Sequence, residues 1–175
     1  MDIEKALRLS LGLGDDKKPN GSTKTSSAVI ASTPTSASVV QDAPHATSVL
    51  LQASKVKPPK GCLFLFPDGS GSASSYASID KLDPSLAVYG LNCPWRTTPD
   101  DMAQAKVQMS QLVAKYIMEL RNRQPRGPYN LGGWSAGGIC AFEASRQLQE
   151  AGEVVQSLIL IDSPNPIGLQ NPPAR

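Results

Sequence analysis

The spacing of apolar side chains divides the chain into a patterned C-terminal part and a nearly unpatterned stretch ahead of it. Ile3, Ala6, Leu7 and Leu11 recur at helical steps and stop at Gly12-Leu13-Gly14. This predicts one short amphipathic helix over residues 1–14, with too little apolar surface to stand alone. From 15 to 47 the chain turns to Ser, Thr, Ala and Pro with almost no large apolar residue. Burial there cannot offset the entropy of ordering, so the stretch is expected to be a disordered linker. The folded part, 48–175, opens with a strand candidate at Val49-Leu50-Leu51, with Pro58-Pro59 marking the turn after it. Cys62-Leu63-Phe64-Leu65-Phe66 is a continuous apolar run ended by Pro67-Asp68-Gly69, the pattern of a strand buried on both faces. Ser74 to Leu82 reads as a short helix with Tyr76 and Ile79 inward. Leu86 to Leu91 reads as the next strand, stopped by Asn92-Cys93-Pro94.

A long helix is predicted from Thr98. Thr98 is placed to cap it, Pro99 suits the first helical position, and Asp100 and Asp101 favour the positive end of the helix dipole. Met102, Ala105, Met109, Leu112, Val113, Tyr116, Ile117 and Leu120 follow at three- and four-residue steps, a core-facing stripe. Pro125 to Pro128 ends this helix and leads into a strand before Ser135. A second helix after Ser135 buries Ala141, Ala144, Leu148 and Ala151, with Gly152 placed to stop it. Val155 to Ile161 is the last apolar strand. Strands alternating with helices indicate an α/β fold built on a mostly parallel sheet with flanking helices.

Composition narrows the function classes. The chain has 175 residues and a net charge of +2, with no basic block to suggest nucleic acid or an anionic membrane as partner. Lys55, Lys57 and Lys60 flank Pro58-Pro59 and read as a solvated linker. Three cysteines, Cys62, Cys93 and Cys140, lack metal-ligand spacing, so no metal is expected. Cys62 and Cys140 fall in apolar patterns as small buried side chains, which suits a reducing compartment. The opening Met1-Asp2-Ile3-Glu4 lacks the character of a signal peptide, and no run is long enough to span a membrane. A cytoplasmic protein is the expectation.

The candidate chemistry lies in Gly133-Trp134-Ser135-Ala136-Gly137, a G-x-S-x-G between a strand and a helix. A serine hydroxyl is a poor nucleophile unless it is lifted clear of its surroundings and given a base. A sharp strand-to-helix turn does the lifting, Gly133 and Gly137 leave it room, and the following helix aims its free N–H groups at the site. The predicted consequence is strained backbone at Ser135. The competing reading is a glycine-rich turn with an incidental serine. Asp162, at the end of the next strand, is the candidate acid; the alternative is a turn residue bonding its own backbone ahead of Pro164. For the oxyanion, one N–H is expected from Ala136 and a second from the backbone of Asp68 or Gly69, in the loop after the buried strand.

The base is missing. His45 is the only histidine in the sequence, and it falls in the predicted linker, ahead of the serine rather than after it. The α/β-hydrolase order is Ser, then Asp or Glu, then His. The sequence stops at Arg175, where such a sheet would continue, so a truncated domain with little turnover is expected.

Several stretches in order resemble one family. They are Leu63-Phe64-Leu65-Phe66-Pro67-Asp68-Gly69-Ser70-Gly71-Ser72-Ala73-Ser74-Ser75-Tyr76, Tyr89-Gly90-Leu91-Asn92, Leu131-Gly132-Gly133-Trp134-Ser135-Ala136-Gly137-Gly138 and Leu160-Ile161-Asp162-Ser163-Pro164. Together they resemble the thioesterase or Claisen-cyclase domain of fungal non-reducing polyketide synthases, over roughly Ser48 to Pro166. The resemblance implies a partial α/β-hydrolase fold with Ser135 as nucleophile and Asp162 as acid. It implies no directly bound cofactor: the polyketide thioester arrives on the phosphopantetheine arm of an acyl carrier protein. The acyl-serine is then resolved by Claisen cyclisation, hydrolysis or lactonisation. Ala6-Leu7-Arg8-Leu9 likewise resembles the end of a carrier protein's last helix, and the following linker a carrier-to-thioesterase tether. Two other functions compete: a non-catalytic synthase fragment that docks a carrier protein, and an unrelated α/β-hydrolase esterase or editing thioesterase.

Overall fold

The computed structural model describes residues 44–165. The expected helix over 1–14 lies outside the described residues, as does most of the expected linker. Five strands form one sheet: β1 (Thr47–Gln52), β2 (Gly61–Phe66), β3 (Leu86–Asn92), β4 (Tyr129–Trp134) and β5 (Val155–Ile161). Their spatial order is β1-β3-β2-β4-β5; β1 pairs antiparallel with β3, and every other pairing is parallel. The helices are α1 (Pro99–Gln104), α2 (Met109–Arg123) and α3 (Ala136–Glu150), with a single 3₁₀ turn at Ala73–Tyr76. Ala46 is buried and Thr47 already pairs with Asn92. The folded part therefore starts a little ahead of the boundary at 48 expected from composition.

The run Leu63 to Phe66 is buried on both faces of the sheet, as its unbroken apolar pattern predicts. Side chains alternate along a strand, so Phe64 and Phe66 face one side and Leu63 and Leu65 the other. Phe64 and Phe66 join the main core with α2 and α3, where Leu120, Val113, Ala144 and Leu148 are fully buried. Phe66 meets Tyr116 of α2 edge to face at 5.5 Å. Leu63 and Leu65 pack with Val88 and Tyr76 into a smaller cluster. The 3₁₀ turn is shorter than the helix expected over 74–82, because Ile79 points to solvent and leaves Tyr76 as its only large buried side chain.

The long helix expected from Thr98 is two helices. Lys106 adopts φ 49°, its N–H bonds Ala103 O, and the N–H of Val107 bonds Met102 O, a Schellman ending made without glycine. The chain restarts with Gln108 and Gln111 in a reciprocal capping box, a Q-x-x-Q signal that the stripe of apolar residues concealed. Thr98 makes no side-chain cap. Gly152, at φ 78°, ends α3 as expected.

Glu119, almost fully buried on α2, ties that helix to β1. Ser48 Oγ donates to its Oε1 at 2.6 Å, and Arg123 Nε donates to the same oxygen at 3.0 Å. Asn122 holds Oε2 at 3.2 Å. Burial pushes the carboxyl pKa up, but these hydrogen bonds and the Arg123 charge outweigh it and leave the pKa below the usual glutamate value. A depressed folded pKa means that the stabilisation is full above the unfolded pKa and is lost as pH falls through the folded one. Glu119→Gln is therefore expected to lower stability by about 1–3 kcal/mol at neutral pH, with the deficit shrinking in acid. Urea midpoints of both proteins at about pH 7 and about pH 3 check this, and a deficit unchanged in acid would contradict it.

Candidate active site

Parallel strands deliver their carboxyl ends to one rim, and ligands of open α/β sheets bind outside that rim. Ser135 sits on it between β4 and α3 with φ 54° and ψ −123°, a conformation that costs a non-glycine residue of order 1–3 kcal/mol. The expected strained turn is present. The glycines around it are explained by contact. A Cβ on Gly133 would stand 2.2 Å from the carbonyl carbon of Gly137, and one on Gly137 would stand 2.3 Å from Phe66 O. Neither gap exists in a folded chain with alanine there. A Cβ on Gly138 would overlap the Ser163 side chain, which would have to shift to admit it.

The Ser135 side chain makes no capping bond to α3, and the residue is half-buried. Trp134 pairs with Ile161, and the Ser135 N–H donates to Ile161 O at 3.0 Å. Ser135 and Asp162 thus leave neighbouring strands at matching positions, with backbones about 5 Å apart by ordinary strand spacing. Asp162 has φ 45° and an exposed carboxylate.

Ala136 opens α3, so its N–H has no acceptor within the helix. It lines a cleft of about 130 Å³ together with Asp68, Gly69, Trp95, Met102 and Tyr116. The three backbone positions expected to face an oxyanion are therefore brought together. The Asp68 side chain is spent on its own loop: Ser70 N–H and Ser70 Oγ donate to Oδ1 at 3.0 and 2.6 Å. Burial raises its pKa, but the bonds from Ser70 and Ser75 bring it below the usual aspartate value. Two thiols also border the cleft, and both are poor nucleophiles. Burial lifts the Cys140 pKa to about 12 and also raises that of Cys93. Cys62 is only half-buried rather than buried as expected.

His45 is exposed and sits two residues ahead of β1. Because β1 runs antiparallel, this places it on the same rim. The neighbouring Pro44 carbonyl is tied by Lys115 Nζ at 2.7 Å, with Lys115 seated over Trp95. Three strand intervals separate β1 from β4, a lateral distance of about 14 Å, beyond a hydrogen bond to Ser135. Among the described residues no cluster suits a metal, and no helix is long and apolar enough to cross a membrane.

The chain is similar to known thioesterase domains and polyketide synthases. The thioesterase-domain family matches residues 62–174. The chain is 58% identical over 114 residues to the conidial yellow pigment biosynthesis polyketide synthase melA of Penicillium expansum, covering 65% of this chain and 5% of that protein. It is 56% identical, over the same shares, to the non-reducing polyketide synthase albA of Aspergillus niger. The chain thus spans about a twentieth of these relatives. Among solved structures, the NocB thioesterase domain in covalent complex with a fluorophosphonate nocardicin G analogue is 30% identical, with a TM-score of 0.58. That match covers 69% of this chain and 51% of the other.

Proposed function

Because the chain belongs to the thioesterase-domain family, we propose that Ser135 takes a polyketide acyl group from the phosphopantetheine thiol of an acyl carrier protein. Ser135 Oγ attacks the thioester carbonyl carbon, the C–S bond breaks, and the pantetheine thiol leaves with the proton that the serine gave up. Backbone N–H groups of Ala136 and of Asp68 or Gly69 stabilise the oxyanion. Asp162 would orient a base accepting the serine proton and stabilise its charged form; no such base is within reach among the described residues. Water or a carbon nucleophile of the chain itself then cleaves the acyl ester, giving hydrolysis or Claisen cyclisation. The strained Ser135 turn, adjacent to Ala136 of the cleft and on the strand neighbouring that of Asp162, carries this reading. The similar polyketide synthases supply the substrate class.

One observation favours a second reading, in which this polypeptide docks a carrier protein without turning substrate over. The only imidazole, His45, lies three strands from the serine. A fluorophosphonate probe separates chemistry from docking, because it needs a presented serine and an oxyanion site. Intact mass is expected to show one slow covalent adduct on the unmutated chain and none on Ser135→Ala. Equal labelling of the two would remove Ser135 from its role.

A further inference from the structure

The hydroxyl of Tyr76 joins the two halves of the site. Tyr76 Oη donates to Phe66 O at 2.6 Å and accepts from the Trp134 N–H at 2.9 Å. Phe66 and Gly133 form the last β2–β4 pair, and in a parallel ladder the Phe66 carbonyl and the Trp134 N–H are the groups that face each other just beyond it. Pro67 follows and has no N–H with which to continue the ladder. The strands diverge here, one into the loop Pro67-Asp68-Gly69, the other into Ser135. We propose that Tyr76 is a positioning residue whose hydroxyl braces this fork, holding the Asp68–Gly69 backbone and the Ser135 turn in register. The proposal rests on the acyl-transfer reading of the site.

Several features make the brace stiff. The Tyr76 ring is buried with Leu63, Leu65 and Val88. Its 3₁₀ turn is fixed at its N-terminal end: Ser72 Oγ accepts from the Ser74 N–H, and Asn92 Oδ1, at the end of β3, accepts from the Ala73 N–H at 2.8 Å. β3 is therefore linked to the fork between β2 and β4. Burial holds the phenol pKa above its usual value despite the lowering effect of the Trp134 N–H bond, and the nearby Asp68 charge adds to the rise. The hydroxyl stays protonated at neutral pH and can donate and accept at once. The same Phe66 carbonyl lies against Gly137, where α3 begins. One backbone oxygen thus meets both the tyrosine and the helix that presents the site. A hydroxyl serving only the core could meet any buried partner; this one meets the two backbone groups that directly precede the proposed machinery. A shift of about 1 Å in either half would pull the oxyanion donors away from the serine and slow acylation by about 100-fold.

The test is Tyr76→Phe, which keeps the ring and removes only the oxygen. Amide hydrogen exchange is expected to rise at least about tenfold, together, in Trp134–Ala136 and in Asp68–Ser70, while the centres of α2 and α3 keep their protection. Fluorophosphonate labelling of Ser135 should slow by about 10–100-fold, more than the change in folded fraction from urea titration explains. Unchanged exchange at Trp134, or loss of protection spread evenly over the fold, would overturn the brace. Labelling that merely follows the folded fraction would overturn its positioning role. If the unmutated chain does not label at all, the nucleophile reading fails, while exchange still decides the brace. Should Tyr76→Phe not fold, NMR of the unmutated chain decides: a slowly exchanging Tyr76 hydroxyl proton with a cross-peak to the Trp134 amide supports the brace, and its absence overturns it.

Discussion

On an acyl-N-acetylcysteamine thioester the 175-residue chain is expected to turn over at least about 10⁴-fold more slowly than a complete serine triad would, and added imidazole is expected to raise the rate. The serine must lose its proton as it attacks, and a base near neutrality has to be within hydrogen-bond reach. Asp162 is an exposed carboxylate, and the proposed mechanism gives it an orienting role rather than that of the base. Cys93 and Cys140 are held as neutral thiols. His45 has the right chemistry and the right rim, but three strand intervals lie between it and Ser135. What remains is oxyanion stabilisation and binding, which typically leaves about 10³–10⁴-fold over water. Free imidazole can enter the open rim and supply the missing base, so the rescued rate should vanish in Ser135→Ala and persist in His45→Ala. Fast hydrolysis without imidazole that Ser135→Ala and His45→Ala both abolish would place the base at His45 and contradict the distance argument.

Replacing Gly137 by alanine is expected to destabilise the fold severely. In an ordinary helix this change is favourable by up to about 1 kcal/mol, because alanine is the better helix former. Here the added Cβ would lie 2.3 Å from Phe66 O and 2.8 Å from Pro67 O. Both are backbone atoms at the end of a central strand and cannot swing aside. Either α3 must move off the sheet or β2 must break its pairing with β4. The expected loss exceeds about 3 kcal/mol, a large share of the roughly 5–15 kcal/mol that holds a domain together. Gly133→Ala should behave alike, with its Cβ 2.2 Å from the carbonyl carbon and oxygen of Gly137. Gly152→Ala is the control. Its Cβ would meet nothing within 4 Å, so only the positive φ opposes it, at about 1–2 kcal/mol. Urea denaturation of the three variants ranks them. A Gly137→Ala protein as stable as Gly152→Ala would show that the turn opens easily.

The order of elements was legible because apolar periodicity is local. Leu63 to Phe66 announces a strand covered on both faces, and the stripe from Met109 to Leu120 announces a helix with one face in the core. The glycine pair around Ser135 was legible for a similar reason: two residues four apart must approach closely if the chain turns from strand to helix between them. The break between α1 and α2 was harder to see, since Met102 and Met109 both face the core and keep the stripe in phase across a Schellman ending. Asn92 and Tyr76 gave no signal of their roles. Their partners lie 19 and 58 residues away along the chain, and no local pattern encodes such a pairing.

His45 shows most plainly where the two kinds of information divide. Composition put it in a linker, and chain order put it on the wrong side of the serine. Only the antiparallel entry of β1 brings it to the rim, and only the order β1-β3-β2-β4 keeps it from the site. The sequence by itself determined which residue types are available, which stretches form strands and helices, and that one serine stands at a strand-to-helix turn. Tertiary structure decided which backbone groups share the cleft, that Gly138 lies against the Ser163 side chain, and that a tyrosine hydroxyl joins the two halves of the site. Local propensity acts over a few residues, whereas these contacts exist only once parallel strands lie side by side and bring distant parts of the chain to one edge.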